Sequence, residues 1–206
     1  MNLIGIIPAE GPVVEMYLTE NKGKEKIFDI DKNKKKGNSS RRIAFSAVLI
    51  ALGVALSFFP GSIPIGPVRI FPFQHMINVI SGILLGPLFG GFIALSIGVL
   101  RIGSGTGSLF AITGGVPGAI VVGLVYRYLW KRYSAAFAEP IGTAIGALLS
   151  AALVAPAIGA SMPQIAGLTS QWALFIIIFW MASIPGAILG YIIMRILKRS
   201  GLIGKQ

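Results

Sequence analysis

From Ile43 onward the chain is a succession of apolar runs of near-spanning length, broken by Gly/Pro/Ser clusters or basic residues, with one acid, Glu139, in the whole stretch. A hydrocarbon core about 30 Å thick takes roughly 20 residues of helix, and backbone inside it must satisfy its own hydrogen bonds. Continuous apolar runs favour helices, because barrel strands alternate in short segments. The expected fold is therefore an all-α integral membrane protein, a bundle of six helices near 43–59, 73–86, 87–102, 108–131, 139–158 and 171–197. The second and third meet at Gly86-Pro87 and read also as one long hairpin that dips and returns. Charge agrees: 12% of residues are charged, against about a quarter in soluble domains, and the mean hydropathy is +0.80.

Residues 1–42 are different. They hold nine of the eighteen Lys and Arg residues and six of the seven acids, Glu10, Glu15, Glu20, Glu25, Asp29 and Asp31. This reads as a basic, mostly flexible cytoplasmic tail and not as a secretory signal, since the polar stretch is long and the apolar run starts late. Residues 201–206 form a second short tail. Six spans put both termini on one side, with Arg127, Lys131, Arg132, Arg195, Lys198 and Arg199. The other side receives only Arg69 and Arg101, so the basic side is expected to be cytoplasmic.

Little catalytic material is present. Cysteine is absent and histidine occurs once, which excludes disulfides, Cys-ligated zinc and thiol nucleophiles. Glu139 is expected near the face opposite His75, leaving that histidine without a carboxylate. Neither a metal nor a cofactor is expected. Gly103-Ser104-Gly105-Thr106-Gly107 is a flexible outer loop, and no P-loop pattern occurs.

The second span breaks the apolar rule. At about 100° per residue, Gln74, His75, Asn78, Ser81 and Gly82 fall within an arc of roughly 120°. Pro72 suits a first helical turn, while Phe71 and Phe73 suit an interface belt. Such a stripe turns inward, because unsatisfied amides in hydrocarbon cost several kcal/mol. It serves either as helix–helix glue or as a ligand site. On the last span Gln171, Trp172, Phe175, Phe179, Ala182, Ser183, Gly186 and Gly190 share one face, polar and aromatic in its outer half. Arg69 and Arg101 either snorkel to headgroups or donate to a ligand. The Pro/Gly-rich loop 60–70 is expected to close over the site as a lid. Ala47, Ala51 and Ala55 form a small-residue row on the first span, and Gly142-Gly146 and Gly186-Gly190 are packing steps.

The string Ile70-Phe71-Pro72-Phe73-Gln74-His75-Met76-Ile77-Asn78-Val79-Ile80, with Leu84-Leu85-Gly86-Pro87, Leu100-Arg101 and Gly105-Thr106-Gly107, resembles the ThiW family. That family comprises S components of energy-coupling factor (ECF) vitamin transporters, associated with the thiazole precursor of thiamine. The match covers about residues 43–200. The resemblance implies a six-helix S component in a prokaryotic plasma membrane that captures hydroxyethylthiazole from outside. It implies docking on a transmembrane coupling subunit with two ATPases, towards which Ala47, Ala51 and Ala55 would face.

The residues themselves point to a small polar heterocycle. Gln74, His75, Asn78 and Gln171 offer hydrogen bonds, Phe71, Phe73 and Trp172 offer stacking faces, and Arg101 closes the site. Two outer arginines also suit an anionic heterocycle. An assembly protein whose tail binds anionic lipid or RNA is a further reading, disfavoured because the tail is mixed in sign. A non-catalytic, bilayer-embedded subunit without nucleic-acid partners is the expectation.

Overall fold

The computed structural model describes residues 12–58, 62–65, 68–161, 167 and 169–203, with backbone alone at 12–18, 25–38, 65 and 68. The chain divides into two units, Met1–Ala44 and Phe45–Gln206. In the first, the described backbone belongs to helix α1, Pro12–Leu56. Residues 12–42, expected as a flexible tail, are therefore helical. The cause is local, because Glu and Lys are good helix formers and Glu20 pairs with Lys24 one turn on at 2.6 Å, the favoured order for such a pair.

The second unit begins within α1. A hairpin follows, with β1 (Ile63–Ile65) antiparallel to β2 (Val68–Ile70) and Pro64 opposite Arg69. It occupies the loop expected as a lid, whose Pro60, Gly61, Gly66 and Pro67 lie outside the described residues. Helix α2 (Pro72–Leu85) starts on Pro72 and stops at Gly86. Gly86 has φ +87°, which a side chain would resist. Pro87 then opens α3 (Pro87–Gly103), so the chain makes two helices here. Helix α4 (Phe110–Leu124) ends in a π-helical turn, Val125–Trp130. A 3₁₀ segment, Tyr133–Ala138, leads into α5 (Glu139–Leu149). That helix loosens into a second π-helical turn, Ser150–Val154, and the short α6 (Ala155–Ala157). Helix α7 (Gln171–Arg199) is the longest after α1.

Four of these stretches are long and apolar enough to cross a membrane: Ser39–Leu56, Phe110–Trp130, Tyr133–Ala157 and Gln171–Arg199. Helices α2 and α3 are apolar but shorter, at 14 and 17 residues, or about 21 and 26 Å at the α-helical rise of about 1.5 Å per residue.

Helix α2 is the hub. It packs against α7 above all, and against α4 and α3, while α4 lies between α3 and α5 and α5 returns to α7. Eleven of its fourteen residues are buried. Ile77, Val79, Ile80 and Ile83 join Ile93, Ile97 and Val122 in one apolar cluster, and Phe110, Leu174, Phe175 and Ile178 build another beside the hairpin. Small residues allow the close crossings. A Cβ on Gly142 or Gly146 would collide with the α4 backbone at Pro117 or Thr113, and one on Gly190 with Val79 of α2. Gly146→Val should lower stability in detergent by about 1–3 kcal/mol through overpacking. Gly103→Ala, with nothing within 4 Å of the added carbon, should leave the melting temperature within a degree or two of the parent, and a thermal melt distinguishes the two.

Candidate functional site

Helix α2 presents Gln74 and Asn78 one turn apart to α4. Gln74 Nε2 donates to the Ala111 carbonyl at 3.0 Å, and Asn78 Nδ2 donates to the Gly115 carbonyl at 3.0 Å. Two amides four residues apart thus meet two carbonyls four residues apart, as equal helical periods dictate. Gly115 makes this possible, since a Cβ there would strike the Gln74 amide.

Between these amides His75 faces α5 and α7. Its Nδ1 lies 2.6 Å from Glu139 Oε1, and Glu139 is fully buried. The expectation that Glu139 sits near the opposite face is therefore wrong. Six residues of 3₁₀ helix, Tyr133–Ala138, precede it, and at about 2.0 Å per residue they carry the chain about 12 Å inward before Glu139 appears. Its Oε1 also accepts from Asn78 Nδ2 at 3.2 Å and Thr143 Oγ1 at 2.9 Å, and its Oε2 accepts from Ser183 Oγ of α7. Donors thus surround the carboxyl group on both oxygens, and Gly118 of α4 leaves room for it. His75 is thereby held with Nδ1 on the acid, leaving Nε2 as the ring nitrogen not engaged with Glu139.

Arg101 of α3 enters from the other side and is 1% exposed. Its Nη1 donates to Gln74 Oε1, its Nη2 donates to the Thr106 carbonyl at 3.1 Å, and its guanidinium carbon lies 4.3 Å from the centre of the Phe71 ring. Thr106 is held in turn by its own N–H to the Arg101 carbonyl at 3.0 Å. Arg101 is therefore not a snorkelling residue, because a loop carbonyl, an amide and an aromatic face hold it inside. Two buried polar atoms here have no hydrogen-bond partner, Arg101 Nε and Asn78 Oδ1.

These side chains surround a cavity of about 30 Å³ lined by Arg69, Phe71, Gln74, His75, Arg101 and, among others, Phe110 and Phe179. Phe179 and Phe110 are bridged by Phe175, with ring centres 6.0 and 5.4 Å away. The volume suits about one water, so anything larger must push the walls apart.

The structure thus brings Phe71, Gln74, His75 and Arg101 together around the cavity, with Asn78 behind them. Phe73 stands one layer back, its ring edge-on to Phe71 at 5.7 Å. Trp172 is 50% exposed, and neither it nor Gln171 lines the cavity; both sit about two turns before Phe179, which does. Sequence reasoning placed Phe179 and Ser183 on the right face of α7 without naming them for the site, and it missed Phe110, Thr143 and Glu139. The signal for Glu139 was its isolation as the lone acid after residue 42. His75 with a buried acid is also an acid–base pair that composition seemed to forbid. Among the described residues there is no cluster of three metal-ligating side chains.

Glu139→Ala should strand the His75, Thr143 and Ser183 donors and lower stability by about 3–5 kcal/mol, the range for breaking a buried pair. Glu139→Asp, which keeps an acceptor, should recover part of that loss in a detergent thermal melt.

The model of the family described as thiamine-precursor transporter protein (ThiW) matches residues 43–200. No curated relative matches the chain. The matched span contains every residue of the site above, and the apolar helices that carry it are those of a transmembrane transport protein. The chain belongs to the ThiW family of thiamine-precursor transporters.

Proposed function

We propose that the protein is the substrate-capture subunit of an ECF-type importer, a six-helix S component that takes hydroxyethylthiazole from outside. Both termini are then cytoplasmic, in the plasma membrane of a prokaryote. A transmembrane coupling subunit and two ATPases complete the transporter, and this chain catalyses nothing itself. The observation that carries the reading is the convergence of Gln74, His75 and Arg101 with Phe71, Phe110 and Phe179 on one small cavity. Aromatic walls with a few placed donors and acceptors are the usual make-up of a small-heterocycle site. The unpartnered Arg101 Nε adds a donor at the cavity wall, and the unpartnered Asn78 Oδ1 lies behind it.

A ligand of roughly nine heavy atoms, at a ceiling near −1.5 kcal/mol per atom, reaches about −13 kcal/mol or nanomolar affinity only when almost fully enclosed. The β1–β2 hairpin supplies Arg69 and Ile70 to the cavity wall and is the element that opens and closes. A second reading keeps the subunit and changes the ligand, because Arg69 and Arg101 together favour an anionic heterocycle.

The docking face for the coupling subunit is the row Ala47, Ala51 and Ala55. All three are exposed, and the window Ser39–Leu56 is 17% buried, against 33–50% for the other three candidate spans. A helix so thinly packed has a face to spare for a partner, and small side chains let that partner come close.

Calorimetry of the detergent-purified protein should show saturable binding of hydroxyethylthiazole, with thiamine, the pyrimidine precursor and an anionic thiazole as comparators. His75→Ala and Asn78→Ala should each weaken it at least about tenfold, or about 1.4 kcal/mol, while Trp172→Ala leaves it nearly unchanged. Unaltered affinity in both α2 variants would remove the site assignment, and preference for the anionic compound would select the second reading. Ala51→Trp should abolish uptake in cells while leaving calorimetric binding intact.

A further inference from the structure

A second concavity, of about 730 Å³, lies between the π-helical end of α4, the 3₁₀ segment and the end of α7, lined by five cations, Lys131, Arg132, Arg195, Lys198 and Arg199. These are five of the nine basic residues after residue 42, and the one acid of that stretch, Glu139, is engaged by His75. Among the described residues no carboxylate lines the concavity. Tyr126, Tyr133 and Tyr191 complete its wall. Tyr126 and Tyr133 stack with ring centres 6.2 Å apart and planes within 3°. Lys198 sits 5.5 Å above Tyr133, and Arg195 sits 5.7 Å from the centre of Tyr191 while its Nη1 donates to that hydroxyl at 3.3 Å. Two of the five cations, Arg195 and Lys198, are thus held against aromatic faces of the concavity wall.

The backbone beneath them is unusual. A π-helical turn, rare and often found at functional sites, is followed by Lys131 in the left-handed region at φ +35°, a strained conformation for a side-chain-bearing residue. Phe110 to Tyr126 along α4, and Phe179 to Arg195 along α7, are each sixteen residues, about 24 Å of helix. The concavity therefore lies at the far membrane face from the His75 site. Exposed apolar residues flank it in sequence, with Tyr128, Leu129 and Trp130 on the π-helical turn and Ile192 and Ile196 on α7, a surface suited to acyl chains.

We propose that this concavity is a binding site for the phosphate headgroup of an anionic phospholipid in the leaflet that meets the basic ends of the helices. Cation-rich pockets between helices on the cytoplasmic side recognise such headgroups, and guanidinium forks match phosphate oxygens. The tyrosine hydroxyls supply neutral hydrogen bonds, and Leu129 and Ile196 receive the chains.

The test is native mass spectrometry of the full-length, detergent-purified protein titrated with dioleoyl phosphatidylglycerol, with dioleoyl phosphatidylcholine and inorganic phosphate as separate arms. Phosphatidylglycerol should bind saturably and phosphatidylcholine should not. Arg132→Gln with Lys198→Gln should weaken phosphatidylglycerol at least about tenfold, as should Lys131→Gln with Arg199→Gln. Arg127→Gln, on the same turn but outside the lining, should leave it unchanged. Equal binding of the two lipids, equal loss in Arg127→Gln, or undiminished binding in both double variants would overturn the proposal. Inorganic phosphate that binds alone as tightly as the lipid and displaces it completely would overturn the lipid source.

Discussion

The structure turns on one buried carboxylate. Glu139 is the only acid after residue 42, and its two oxygens accept from His75 and Asn78 on α2, Thr143 on α5 and Ser183 on α7. The low dielectric around this group strengthens each of these hydrogen bonds relative to water. Three helices are tied at one atom group, and the fourth, α4, must be glycine at Gly118 for the group to fit. Apolar contacts between helices in lipid give little direction of their own, so this polar knot supplies much of the geometric specificity.

The cavity inherits its chemistry from that knot. With Nδ1 committed to Glu139, the His75 ring has a fixed orientation and a defined remaining nitrogen. Gln74 is fixed at both ends, its amide nitrogen on α4 and its oxygen on Arg101. The acid and the buried guanidinium are linked through the adjacent residues Gln74 and His75, so the two share the region without touching. A molecule that parts Arg101 from Gln74 must replace that hydrogen bond, which makes the pair a selectivity element as well as a wall.

Much of this was legible from periodicity and from breaks in it. Gln74, His75 and Asn78 stand out because polar residues in an apolar helix at helical spacing share one face, and Pro72, Gly86 and Pro87 mark helix ends by backbone chemistry alone. Glu139 was misplaced because hydropathy treats a charge as the end of a span. Nothing in Tyr133–Ala138 announces a 3₁₀ segment, since hydropathy does not distinguish hydrogen bonds to i−3, i−4 or i−5, and for the same reason the π-helical turns were invisible. On α7 the correct face was legible, but depth along it was not: Trp172 and Gln171 look like site residues by composition, whereas the floor of the cavity is two turns further at Phe179. Helix over 12–42 was missed because polarity was taken for irregularity, although Glu followed four residues on by Lys, as in Glu20 and Lys24, supports helix in water.

The brevity of α2 and α3 bears on the lipid around them. Helix α2 is almost wholly enclosed by protein, so its length concerns no lipid. Helix α3 is seventeen residues long, about 26 Å against a core of about 30 Å, and its Leu88, Phe92, Leu95 and Val99 are exposed at alternating steps of four and three, an outward stripe. In a six-helix arrangement with α3 set across the bilayer, the lipid would have to thin by a few ångströms along that helix alone, at fractions of a kcal/mol per ångström. The annulus of lipid would then be lopsided, and acyl-chain length would act on the wall that carries Arg101.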